Sequence, residues 1–248
     1  MTRGGALVTG AGKRIGRALA LAAADAGYAV AVHHRGSADD ARETVGAIEA
    51  AGGRAATVRA ELDDAEALEP LVRDAGAAVG PLTLLVNNAS VFHPDEAGGF
   101  TREDWTRHLE PNLYAPIKLA QAFAAQLPAG ADGLVVNLLD QRVLKPSPPF
   151  FTYGLSKAAL WWATRTLAQA LAPRVRVNGI GPGPTLPSIH QTQAEFDAEA
   201  DATLLGRRAD PEQIAAALRY LIDAPSVTGQ MIAVDGGQHL LWRTADFG

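Results

Sequence analysis

TGAGKRIG, Thr9 to Gly16, closes the short apolar run Ala6–Thr9 and opens an Ala/Leu-rich run over Ile15–Asp25. Glycines at such a junction let backbone amides approach a pyrophosphate at a helix N-terminus, where the helix dipole favours an anion. The literal G-x-G-x-x-G is absent, because Gly10, Gly12 and Gly16 form a pattern one residue longer. An ordinary strand-to-helix turn could use the same residues. The position on the first strand–helix unit favours a dinucleotide site. Gly10, Lys13, Arg14, Ile15 and Gly16 are the first cofactor candidates.

The rhythm continues outward from that turn. Strand candidates are Ala6–Thr9, Ala29–His33, Ala55–Ala60, Leu82–Asn87, Gly133–Leu138, Arg174–Asn178 and Met231–Val234. They show little alternation, as expected when both faces of a sheet are covered. Helix candidates lie between them at Ile15–Asp25, Asp40–Ala51, Asp64–Val79, Arg102–Gln126, Thr152–Leu171 and Pro211–Asp223. Strand, helix, strand at this spacing predicts α/β architecture, a doubly wound parallel sheet of Rossmann type with helices on both faces. No internal repeat or linker divides the chain, so residues 1–248 read as a single domain. Residues 181–205 are irregular and read as a mobile segment over a substrate site. Lys145–Phe151, KPSPPFF, reads as a second loop. Both follow strand ends, where ligands bind in such sheets.

Composition narrows the function classes. With 248 residues and 48% apolar content, one core can form without metals or disulfides. The absence of cysteine excludes disulfides, thiolate metal sites and cysteine nucleophiles. A net charge of −5, from 22 Lys+Arg against 27 Asp+Glu, argues against nucleic acid as a main partner. No basic stretch followed by an apolar one opens the chain, and no apolar run reaches membrane-spanning length. A cytoplasmic protein acting on a small molecule is expected.

The end of the second strand bears on cofactor choice. An NAD site usually carries a carboxylate about 20 residues past the glycines, bonded to the ribose 2′-hydroxyl. Here VHHRGS, Val32 to Ser37, offers no acid. Arg35 can fork onto a 2′-phosphate, with His34 and Ser37 adding hydrogen bonds. A solvated basic turn before a helix capped by Ser37 would read the same way. The charge logic favours NADP.

Tyr153 and Lys157 lie four apart in YGLSK, on one face of a predicted helix. A phenol with a reference pKa near 10 is a poor acid–base group at neutral pH. A neighbouring ammonium lowers it by stabilising the phenolate. Alone, the pair could be an ordinary surface couple.

Taken with TGAGKRIG, NNAS at Asn87–Ser90, RVNGIGPG at Arg176–Gly183 and VDGG at Val234–Gly237, the pair resembles the short-chain dehydrogenase/reductase family over essentially the whole chain. The resemblance implies that Tyr153, Lys157 and Asn112 are catalytic and that Lys157 also holds the nicotinamide ribose. It further implies cofactor contacts at His33, Glu61 and Leu62, at Asn88, Ala89 and Ser90, and at Pro182, Gly183 and Thr185. A homotetramer is implied as well.

One position departs from the family. Thirteen residues before the Tyr, where a Ser is usual, stands Asp140. A carboxylate cannot donate a hydrogen bond to a carbonyl oxygen. It suits a nitrogen-rich substrate, unless it only pairs with Lys157 or Arg142. The same departure, with KRIG, HHR and LVNNASVFHP, is similar to the pteridine reductase and dihydromonapterin reductase branch. That likeness implies a substrate site of Arg14, Ser90, Phe92, Asp140 and Tyr153, with Phe92 stacked on a pterin; an apolar loop anchor is the other reading of Phe92. A carbonyl reductase acting on a ketone or sugar, and a non-enzymatic NADP-binding protein, remain as alternatives.

Overall fold

The structure, a computed structural model, describes residues 3–242. Seven strands form one parallel sheet: Gly5–Val8 (β1), Ala29–His34 (β2), Ala55–Arg59 (β3), Leu82–Asn87 (β4), Gly133–Leu138 (β5), Val175–Pro182 (β6) and Met231–Val234 (β7). Their order is β3-β2-β1-β4-β5-β6-β7. The pleat explains the continuous apolar runs. Ala6 and Val8 face one core and Leu7 the other; Leu84 and Val86 face the first, Leu85 the second. Successive side chains point to opposite faces, and both faces are buried.

Helices Arg14–Asp25 (α1), Ala38–Ala50 (α2) and Pro211–Asp223 (α8) cover the first face through residues such as Leu19, Ile48 and Leu218. Helices Ala65–Val79 (α3), Ala115–Gln126 (α5) and Phe151–Leu171 (α6) cover the second with Leu68, Leu119, Phe123 and Ala168. Each fully buried Leu contributes roughly 1.5–3 kcal/mol. Among the described residues no helix is long and apolar enough to cross a membrane. Strand order reverses between β1 and β4, which opens the crevice at their carboxyl ends.

Three expectations need correction. The helix predicted over Arg102–Gln126 is interrupted: Arg102–Leu109 (α4) gives way to a π turn, Glu110–Tyr114, before α5. Pro111 has no N–H for the helical ladder, and its ring crowds the preceding turn. Residues 181–205 are not irregular throughout, since Gln193–Asp201 forms helix α7. Its start was legible as T-x-x-E: Thr192 and Glu195 make a capping box. Strand β6 also outruns the predicted Arg174–Asn178 because its glycines are packing sites rather than breakers. A Cβ on Gly179 would lie 2.5 Å from Leu139 Cδ1, and one on Gly181 2.9 Å from Met231 Cε.

Candidate active site

The turn after β1 is built on backbone proximity. Gly10 has φ +62°, and a Cβ on Gly16 would sit 2.1 Å from the Gly10 carbonyl oxygen, so neither tolerates a side chain. Arg14 also has a left-handed φ, 54°. Its guanidinium donates to the carbonyls of Leu186 (3.2 Å) and Pro187 (3.0 Å), tying the turn to the segment after β6. Ile15 lines the same crevice.

His33 does more inside the fold than the sequence suggests. Its ring is buried; Nδ1 accepts from Gly10 N–H at 3.0 Å, and Nε2–H donates to Ala60 O at 3.2 Å. Nδ1 can accept only from the neutral ring. Burial lowers the pKa to about 4, against the raising effect of the Ala60 bond and with a smaller lowering effect of His34. The His33 ring thus positions the glycine turn. Protonation costs stability: the contribution is complete above 6.5 and is lost as pH falls toward about 4. We expect a loss of about 3 kcal/mol across that window. Chemical denaturation at neutral pH and near pH 4 should show His33→Gln with a smaller acid loss than wild type; equal losses would remove His33 as the clasp.

At the tip of β2, His34 is buried with an unpartnered Nδ1, and Arg35 is exposed, its Nε 3.8 Å from Glu61 Oε2. Lys13 Nζ lies 3.5 Å from Asp40. Ser37 occupies the N-cap of α2, but its hydroxyl makes no cap bond, so the alternative reading of Ser37 as a helix cap is not what the structure shows. Leu62 turns into the core.

The end of β4 is stitched to the end of β1. Backbone N–H groups of Asn88 and Ala89 donate to Thr9 Oγ1 at 2.9 and 3.0 Å, and Asn88 Nδ2 donates to Thr9 O at 2.8 Å. Asn112, presented by the π turn, is fully buried. Its Oδ1 accepts from Val91 N–H (2.8 Å) and the Ser90 hydroxyl (3.2 Å); its Nδ2 donates to Val91 O (2.9 Å) and Ser156 Oγ (3.2 Å). It therefore fixes the loop after β4 against α6. A second tie was not legible in sequence. His93 N–H donates to His108 Nε2 at 3.1 Å, His108 Nδ1–H donates to Thr152 Oγ1 at 2.7 Å, and Thr152 donates to Asp95. These residues anchor the start of α6, one position before Tyr153.

Tyr153 donates from its hydroxyl to Asp140 Oδ2 at 2.8 Å. Asp140 Oδ1 accepts from Arg142 N–H at 2.8 Å, and Oδ2 lies 3.3 Å from Arg142 Nη1. Of the two pairings considered for Asp140, the structure shows the one with Arg142 and adds Tyr153. Lys157 Nζ donates to Leu138 O at 2.8 Å and lies 5.8 Å from the Tyr153 ring centre. Burial lowers the Lys157 pKa to about 8, opposed by Asp140. Burial, then the Asp140 charge and hydrogen bond, hold the Tyr153 phenol well above its ordinary value. This reverses the expected lowering: the Asp140 carboxylate disfavours a phenolate beside it.

These groups open on a cavity of about 570 Å3 at the carboxyl ends of the strands. One wall is aromatic. Phe92 stacks on Phe150 with ring centres 4.0 Å apart and meets Tyr153 edge-on at 4.7 Å. The Arg142 guanidinium lies 5.7 Å from both phenyl centres. Arg142 thus links the aromatic wall to Asp140, a role that only its position two residues past Asp140 could have signalled. Ser90, Pro182, Gly183 and Thr185 also line the cavity.

Residues 10–239 match the family described as enoyl-(acyl carrier protein) reductase. Among curated proteins, a 3beta-hydroxysteroid dehydrogenase 1 of Eggerthella lenta is 34% identical, aligned over 94% of this chain and 93% of its own. A 3-oxoacyl-[acyl-carrier-protein] reductase of Synechocystis sp. is 31% identical over 94% and 95%. Among solved structures, the FolM alternative dihydrofolate reductase 1 of Brucella suis, in complex with NADP, superposes with a TM-score of 0.96 at 45% identity, covering 100% of both chains.

Proposed function

The chain belongs to the short-chain dehydrogenase/reductase family, and from that premise we propose that it is an NADPH-dependent reductase acting on a carbon–nitrogen double bond of a pteridine, such as a dihydropterin. The observation that carries the substrate reading is the Tyr153 hydroxyl bonded to the Asp140 carboxylate beside an aromatic wall. The Brucella suis neighbour, named a dihydrofolate reductase, supports it.

The residues present fit NADP. The glycine turn leaves room for a pyrophosphate, and the exposed Arg35 with the orphaned His34 Nδ1 offers an anion and a hydroxyl their partners. Bound there, NADPH supplies the hydride. Lys13, Arg14, Asn88, Ala89 and Thr185 stand around that crevice, and Lys157 is the group for the ribose. Arg35→Asp is expected to weaken NADPH binding by about 2–4 kcal/mol while sparing NADH, by removing a charge-assisted bond and adding repulsion. Titration of both cofactors checks this; wild-type affinity equal for the two would oppose it.

The protein's own chemistry is proton handling. Tyr153 keeps its proton at neutral pH and delivers it to the ring nitrogen of the C=N bond. Lys157, near its own pKa, restores that proton. Asp140 accepts from N–H groups of the substrate's amino-pyrimidine edge, which a ketone lacks. Arg14 and Ser90 border the substrate, and Phe92 gives it a face to stack on.

Titrating the enzyme–NADP complex with an oxidised pterin tests the substrate. Binding is expected, weakened about tenfold in Phe92→Ala by loss of stacking and apolar contact; no binding at millimolar pterin would defeat the reading. The relatives named for 3-oxoacyl and steroid chemistry favour carbonyl reduction as the second reading. We also propose a homotetramer. The exposed Tyr114 of the π turn and the exposed Leu155 and Trp162 of α6 leave an apolar face that a second copy would cover.

A further inference from the structure

His108 is a titratable side chain that the proton chemistry leaves unused. It sits fully buried on α4 with both ring nitrogens engaged. A backbone N–H can only donate, so the bond from His93 N–H at 3.1 Å requires a lone pair on Nε2. The ring proton then lies on Nδ1 and is donated to Thr152 Oγ1 at 2.7 Å. Burial lowers the His108 pKa against the raising effects of the Asp95 charge and the Asp104 carbonyl, so the ring is neutral at pH 7, as these bonds need. Thr152 continues the chain. Its hydroxyl donates to the Asp95 carboxylate, and its N–H donates to Asp95 Oδ1 at 3.1 Å. Asp95 lies two residues past His93. The bonds therefore close a circuit from the loop after β4 through His108 and Thr152 and back to that loop.

The circuit also holds a strained residue. Phe150, just before α6, has φ 61°, a left-handed conformation disfavoured for any residue with a Cβ. Its N–H donates to the Asp95 carbonyl at 3.0 Å. Its side chain makes no cap bond, so the Asp95 carboxylate serves the first turn of α6 in its place. Asp95 thus keeps Phe150 where it stacks on Phe92.

The chain neighbours of the circuit are the residues that meet substrate. Phe92 precedes His93, and Tyr153 follows Thr152. Their rings meet edge-on at 4.7 Å, and the His108 ring centre lies 6.1 Å from that of Tyr153. His108, Thr152 and Asp95 do not themselves line the cavity, so they act on it only through these neighbours.

We propose that His108, Thr152 and Asp95 are positioning residues, which lock the Tyr153 hydroxyl and the Phe92 ring in one register so that proton donor and stacking face meet the same substrate ring. The proposal rests on the reading of Tyr153 as proton donor and adds the groups that aim it. A buried circuit in which every member has a directional partner is rigid enough for that task.

The test pairs Thr152→Val, which keeps the shape and loses the hydroxyl, with Thr152→Ser, which keeps the hydroxyl. Single-turnover reduction at saturating dihydropterin and NADPH should slow about tenfold or more in Thr152→Val and recover to within about twofold in Thr152→Ser. Titration should show weaker pterin binding to the Thr152→Val enzyme–NADP complex and unchanged NADPH affinity. A merely structural role would lower the unfolding temperature and leave the rate of the folded enzyme untouched. Added to Tyr153→Phe, Thr152→Val should slow the residual reaction by less than about twofold, because the hydroxyl it aims is already gone. If Thr152→Val does not fold, the same cycle with Asp95→Asn, which reverses one bond of the circuit at equal size, decides alone. A parental rate in Thr152→Val, or losses that multiply in the double variant, would overturn the positioning role while leaving pteridine reduction standing. If only a simple ketone is reduced, the pteridine reading falls and the same cycle on the ketone decides the positioning role. Turnover of neither substrate would overturn both.

Discussion

Tyr153→Phe is expected to lower turnover by about 10²–10⁴, the scale of general acid–base catalysis, with little change in NADPH affinity. The substitution keeps the ring that packs edge-on against Phe92 and removes only the hydroxyl that reaches Asp140. The fold should survive, because the anchor of α6 runs through Thr152, Asp95 and His108 rather than through the phenol. Single-turnover rates at saturating NADPH separate chemistry from binding, and a near-normal rate would remove Tyr153 from proton delivery. The wild-type pH profile carries the same signature. Below about 8 both Tyr153 and Lys157 hold their protons, so reduction should be flat through neutrality and fall as pH rises through the Lys157 pKa.

Asp140→Ser is expected to lower kcat/KM for a dihydropterin by about 10- to 100-fold, the worth of one to two hydrogen bonds to a charged group. It also removes the charge that, against burial, helps hold Lys157 protonated. The basic limb of the pH profile should therefore move to lower pH, and weak reduction of a simple ketone should emerge. NADPH binding should be unchanged, which distinguishes this outcome from collapse of the site. If Asp140→Ser reduced dihydropterins as well as the parent, the carboxylate would be only a partner for Arg142.

The strands and their parallel arrangement were legible because most residues of β1, β2, β4 and β5 are apolar without alternation, as a sheet covered on both faces requires. Tyr153, Lys157 and Asp140 were singled out by the family resemblance of their motifs, and the structure brings Tyr153 and Asp140 into contact. What escaped were interactions between residues far apart in the chain. Nothing local links His33 to Gly10, or His108 to Thr152 across 44 positions. The direction of the Tyr153 shift escaped for a related reason: the ammonium was counted, but burial and the carboxylate prevail. Two misses were local. Pro111 inside a helical run marks a break, and Thr192-x-x-Glu195 marks a helix start, and both lay in plain sequence.

On the proposed reading, Asp140 adapts a short-chain reductase to a nitrogen heterocycle in place of a carbonyl. The most direct measurement is kcat/KM with NADPH for a 7,8-dihydropterin, set beside a 3-oxoacyl thioester and a 3-oxosteroid under the same conditions. A site whose buried polar groups require N–H partners should prefer the dihydropterin by about 100-fold or more. Efficient reduction of either ketone with no turnover of the dihydropterin would rule out that role for Asp140 and establish carbonyl reduction in its place.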